Sequence, residues 1–148
     1  MHAQLALLYS GGRSTGVDLL DAAASESDRA KRATLPEADL MRRQAAEKTW
    51  GFVATEVNRL LRSLGYDVEA GPRSHEARKK WLHELDRALG TNLSRRHEEY
   101  AELHGSCFYE AKCPPPDVID GMILEARRFV EDVRAALLEV RQRGARAS

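Results

Sequence analysis

Residues 34–65 constrain the fold of this chain more than any other stretch. Thr34-Leu35-Pro36-Glu37 forms a capping box with proline in the first turn, where its missing N–H costs nothing. Behind it, Met41, Ala45, Thr49, Phe52, Val53, Val57, Leu60, Leu61 and Leu64 recur at three- and four-residue spacing until Gly65. That spacing puts one continuous apolar stripe on an α-helix, and the stripe is stable only if other helices cover it.

The rest of the chain supplies the covering helices. Thr15-Gly16-Val17-Asp18 predicts the cap of a first helix through about Ala30, with Val17, Leu20, Ala23 and Ala24 inward. A polar turn from Asp67 to Arg73 leads to Ser74, the N-cap of a helix that buries Trp81, Leu82, Leu85 and Leu89 and stops at Gly90. Another helix runs from Leu93 to about Ala111, where Pro114-Pro115-Pro116 forbids continuation. Asp117 caps the last, whose inward positions read Ile119, Met122, Ile123, Ala126, Phe129, Val130, Val133, Leu137 and Val140. Short connections between amphipathic helices predict an all-α, up-and-down antiparallel bundle of four or five helices. The 148 residues make one domain, 1–148, ending in a frayed basic tail over 144–148.

Charge and cysteine content narrow the function classes. Lys plus Arg and Asp plus Glu are 23 each, so no global field draws the protein to nucleic acid or an anionic membrane. The apolar runs fall short of the roughly 20 residues that cross a bilayer. Met1-His2-Ala3-Gln4 lacks the charged start of a secretory signal, so a cytoplasmic location and no membrane partner are expected. In that compartment Cys107 and Cys113 are expected to be free thiols.

The unusual chemistry lies between Leu93 and Glu110. At helical period, apolar Leu93, Tyr100, Leu103, Cys107 and Phe108 share a stripe with His97 and His104, and Arg96 sits at its edge. Histidine moves protons near neutral pH, and arginine grips phosphate oxygens. The competing structural reading gives Arg96 a salt bridge and His104 an interior hydrogen bond, with Glu99 and Glu102 nearby. Tyr100, Tyr109 and Glu110 read as packing and capping groups, and Trp50 and Trp81 as core or contact residues rather than base-stacking ones.

Several segments resemble the HEPN (higher eukaryote and prokaryote nucleotide-binding) superfamily. They are Ala46-Glu47-Lys48-Thr49-Trp50-Gly51, Arg73-Ser74-His75, and Leu103-His104 followed by Cys107-Phe108-Tyr109-Glu110 and a proline turn. They look most like small archaeal repeat-associated members, over roughly Ala45 to Val140. The resemblance implies a bundle that homodimerises through its motif helix and binds RNA or a nucleotide. Many members are metal-independent ribonucleases, often toxins paired with a nucleotidyltransferase-like antitoxin, while others are non-catalytic dimerisation or adaptor modules. The family motif separates an arginine from a histidine by four to six residues. Here Arg96 is followed by polar His97, but seven residues precede His104. Eight helical positions set Arg96 about 80° around the axis from His104 and about 12 Å along it. The two would therefore meet one phosphate only across a dimer, with Arg96 for charge, His104 for proton transfer and His97 in support.

Three further features complete the candidate set. Arg73, His75, Arg78, Lys79 and Lys80, with Arg95, form a basic cluster that would guide RNA, although Glu76, Glu84, Glu98 and Glu99 are interleaved. His104-x-x-Cys107 with Cys113 offers three zinc-type ligands but no fourth, so no metal is expected. Ser10-Gly11-Gly12-Arg13-Ser14-Thr15-Gly16 is glycine-rich before a helix, yet lacks the Gly-Lys-Ser/Thr ending of a phosphate loop, and no cofactor is expected.

Overall fold

A computed structural model of the chain describes residues 16–32, 35–69 and 74–147. The glycine-rich segment before Gly16, the cap at Thr34 and Arg73 lie outside the described residues. The described residues form five α-helices: α1 (Gly16–Ala30), α2 (Leu35–Ser63), α3 (Ser74–Leu89), α4 (Leu93–Leu103) and α5 (Pro116–Ala147). Among them there is no strand.

The stops follow the glycines and prolines. Gly65 takes φ +89°, Tyr66 N donates to Leu61 O at 2.9 Å and Gly65 N to Arg62 O at 3.1 Å, which together close α2 in a Schellman turn. Gly90, at φ +71°, ends α3 in the same left-handed region. The last helix begins at Pro116 and continues past Gly144 to Ala147, beyond the point where fraying is expected from sequence.

Contacts set the helices in opposed pairs. Between α1 and α5, Asp21 meets Arg127 while Ser27 and Lys31 meet Asp120. Between α4 and α5, Arg96 meets Asp132 while Tyr100 donates to Met122 O. Between α3 and α4, Asp86 meets Leu93 and Arg78 meets His97. In each pair the partner number falls as the first rises, the signature of antiparallel packing.

The core is one cluster drawn from every helix, including Leu20, Phe52, Val57, Leu61, Leu82 and Phe129. The expected stripes are the buried ones: Ala45, Thr49, Phe52, Val53, Val57 and Leu61 on α2, and Ile119, Ile123, Ala126, Phe129, Val133 and Leu137 on α5. Thr49 is tolerated there because its hydroxyl donates to Ala45 O at 2.8 Å.

Two local features depart from the sequence expectation. The helix from Leu93 does not run uniformly to Ala111: after Leu103 it widens into a π-helical segment, His104–Tyr109, ending at Ala111 with φ +57°. Cys107 and Cys113 are not free thiols but a disulfide, with Cα atoms 4.1 Å apart. The π segment swings Cys107 inward and the turn at Ala111 brings Cys113 back to it, a proximity that residue spacing alone does not define.

Candidate functional site

Arg78 is the most unusual side chain in the molecule. It falls on the α3 stripe with Leu82 and Leu85, and it is only 3% exposed. Its Nε donates to Nε2 of His97 at 3.2 Å, and its Nη1 donates to Asn58 Oδ1 at 3.1 Å and Ser74 Oγ at 2.8 Å. All three acceptors are neutral, and among the described residues no carboxylate lies within ion-pair distance. Burial pulls its pKa down to about 10, partly offset by the charge of Glu98, so it remains a cation at neutral pH.

His97, on α4, is wholly buried beside it. Burial foremost, then the Arg78 charge, lowers its pKa to about 3, so its ring is neutral. Because Nε2 accepts from Arg78, Nδ1 carries the proton and faces Glu98 Oε1 at 3.4 Å. The same Oε1 lies 3.4 Å from Nε2 of His75. A chain of polar contacts thus runs from Arg78 through His97 to Glu98 and His75.

His75, His97 and Glu98 place one ligand-type atom each within 4.8 Å of one another, as a metal centre does. A cation would need the lone pair of His97 Nδ1. Freeing it moves the proton to Nε2, where it would point at an arginine N–H. The arrangement therefore fits a hydrogen-bonded relay better than a metal centre. The other sequence candidate, His104 with Cys107 and Cys113, is closed because both sulfurs are in the disulfide.

Above this layer an open cleft of about 400 Å³ is lined by Trp50, Asn58, Ser74, His75, Arg78 and His104, among others. The Arg78 guanidinium lies 5.3 Å from the Trp50 ring centroid. Trp50 also packs against His75, His97 and His104, the last with planes 21° apart at 6.1 Å. The tryptophan is half-buried, so it is both core contact and cleft wall.

His104 keeps 19% of its side chain exposed and sits 3.7 Å from Glu47 Oε2, which is buried and takes no hydrogen bond. Its ring stacks on Phe108, planes 12° apart at 5.5 Å. Arg43, on α2, fixes that part of the π segment by donating twice to Phe108 O, at 3.0 and 2.7 Å. The N-terminus of α4 is fixed from α3, where Asp86 accepts from Leu93 N at 2.8 Å and Ser94 N at 3.0 Å.

The sequence candidates separate in space. His97 and His104, seven residues apart and nearly in line, both pack against Trp50, and of the two His104 lines the cleft while His97 is buried beneath it. Arg96 points the other way, to α5, where it pairs with Asp132 at 2.8 Å and lies over the Phe129 ring. Within one chain it takes no part in the cleft. His97, being buried and neutral, orients Arg78 rather than exchanging protons with solvent. The basic cluster is not one patch: Arg78 is buried, Lys80 lies over Trp81 at 4.7 Å beside a different hollow with Glu69 and Glu76, and Arg95 is exposed on α4. Lys79 is half-buried.

Asn58 was not singled out by sequence, and Glu47 and Glu98 were named there without a site role. Their signal was faint: Trp50, Ala54 and Asn58, like Ser74 and Arg78, repeat every four residues and so share a helix face. A larger hollow near Leu64, Tyr66, Trp81 and Leu137 offers only Asp67 and Arg141 as charged groups. Compared with family models, curated proteins and solved structures, the chain matches none. No helix among the described residues is long and apolar enough to cross a membrane.

Proposed function

We infer that this chain is a HEPN-like module that binds RNA or a nucleotide in the cleft between α2, α3 and α4. The observation that supports this reading most is the convergence of Trp50, His75 and His104 on the buried cation Arg78. An aromatic wall takes a base face, and a buried guanidinium takes phosphate oxygens. In the catalytic form of this reading the protein is a metal-independent endoribonuclease. His104, half-buried in the cleft wall, takes the proton of a ribose 2′-hydroxyl while that oxygen bonds to the adjacent 3′-phosphorus. The bond to the 5′-oxygen then breaks, the leaving oxygen receives a proton, and a 2′,3′-cyclic phosphate remains. Arg78 rather than Arg96 stabilises the charge building on phosphorus within one chain.

A second reading, a non-catalytic dimerisation or adaptor module partnering a nucleotidyltransferase-like protein, gains support from two contacts. Arg96 is already engaged by Asp132, and His97 is buried and neutral. A homodimer that brings a partner's Arg96 to His104 would restore the catalytic form. The decisive experiment incubates the purified protein with mixed RNA in a chelator beside His104→Ala. Cyclic-phosphate ends that vanish in the variant support the nuclease; binding without cleavage by either protein supports the binding-only form of the first reading; neither binding nor cleavage refutes both forms and favours the adaptor reading.

A further inference from the structure

Among the described residues Arg78 has no carboxylate within ion-pair distance, and this bears on the ligand the cleft would take. A guanidinium has five N–H groups. Those that are engaged go to His97, Asn58 and Ser74, and no bond from Nη2 is made to any described residue. Removing a cation from water is costly, and neutral acceptors repay only part of that cost. The nearest acid, Glu98, is shared by His75 and His97 and is not within ion-pair distance of Arg78. Glu47 lies against His104 and is not within ion-pair distance of Arg78 either. The cation therefore faces the cleft with no direct ion pair and only the more distant charge of Glu98 to offset its burial. Ser74 and His75, which line the same cleft, open α3, and the first-turn amides of a helix have no acceptor within that helix.

We propose that Arg78 is the floor of an oxyanion subsite that takes a phosphate group, gripped by the Nη2 edge and the opening turn of α3, with Trp50 as the wall beside whatever carries the phosphate. This deepens the reading of the same cleft as a nucleotide or RNA site. Asn58 and His97 hold the guanidinium plane, so the fork is oriented before the anion arrives. Phosphate suits the place better than a carboxylate because its tetrahedral oxygens can meet the fork and the helix turn together.

The test uses the full chain and inorganic phosphate, with chloride at matched ionic strength as the control. The Nε–H resonance of Arg78 and the indole N–H of Trp50 should shift saturably with phosphate. Asn58→Asp places a carboxylate beside the guanidinium with almost no change of shape, and should weaken phosphate binding about tenfold or more while raising the melting temperature. Arg78→Lys, which keeps the charge and loses the fork, should weaken it comparably, whereas Arg87→Met, at an exposed position near the far end of α3, should leave it within about twofold. If Arg78→Lys fails to fold, Asn58→Asp still decides the matter. Unmoved resonances at phosphate concentrations on the order of 10 mM, or an Asn58→Asp variant that binds as wild type, would overturn the proposal. Parallel titrations with adenosine monophosphate and a short single-stranded RNA separate the two readings. Phosphate binding without either of them leaves the subsite standing and removes the nucleic-acid reading. RNA binding with Arg78 unmoved does the reverse.

Discussion

Replacing His97 with glutamine should flatten the protein's stability between pH 7 and pH 5. The wild-type ring is wholly buried and held neutral, with its pKa lowered to about 3, first by burial and then by the Arg78 charge. In the unfolded chain it titrates near 6.5, as an ordinary histidine does. Between those values the unfolded state binds a proton that the native state refuses. The contribution is therefore complete above about pH 6.5 and is lost progressively as pH falls toward 3. From pH 7 to pH 5 the loss is roughly 2 kcal/mol, taking 1.36 kcal/mol per pH unit once the unfolded histidine is protonated. Glutamine can still accept from Arg78 but does not titrate. Urea unfolding followed by circular dichroism at pH 7, 6 and 5 gives the loss for each protein, and the carboxylates common to both cancel in the difference. Wild type should lose roughly 2 kcal/mol more than His97→Gln over this range. Parallel losses, within the ~10–15% uncertainty of extrapolated free energies, would refute the claim that His97 is buried in its neutral form.

Three further outcomes follow from the packing. Asp86→Ala removes the acceptor for the first amides of α4 and should cost about 1–2 kcal/mol in urea unfolding; burial alone would raise the Asp86 pKa, but bonds from Thr91, Ser94 and Leu93 hold it below the usual carboxylate range, so its contribution should fade as acid protonates it. Reducing Cys107–Cys113 opens a short loop and should lower stability by about 2 kcal/mol on the loop-closure estimate, while a melting temperature indifferent to reductant would contradict the bond. Phe129→Ala empties a wholly buried ring site between Tyr100 and Arg96 and should cost about 3–5 kcal/mol; a loss below about 1 kcal/mol would mean the site is not core.

The sequence by itself determined the helices and the faces they bury. Caps, glycines and the triple proline are local signals, and apolar periodicity survives any tertiary arrangement, so α2 and α5 and nearly all their inward residues were legible. His97 and His104 were also legible as sharing one helix face, because seven helical positions return almost to the same direction. Only the tertiary structure decided which groups meet. Arg78 lay in the sequence as one member of a mixed basic run, and its burial depends on Asn58 from α2 and His97 from α4 arriving at the same point. Arg96 turns to Asp132 within the chain because it lies a single 100° step around α4 from His97. The π segment and the disulfide were hidden for the same reason. They arise where α2 presses on the chain after Leu103, through Arg43 to Phe108 O and Arg42 O to Cys107, and contacts between residues 65 apart leave no mark in local spacing.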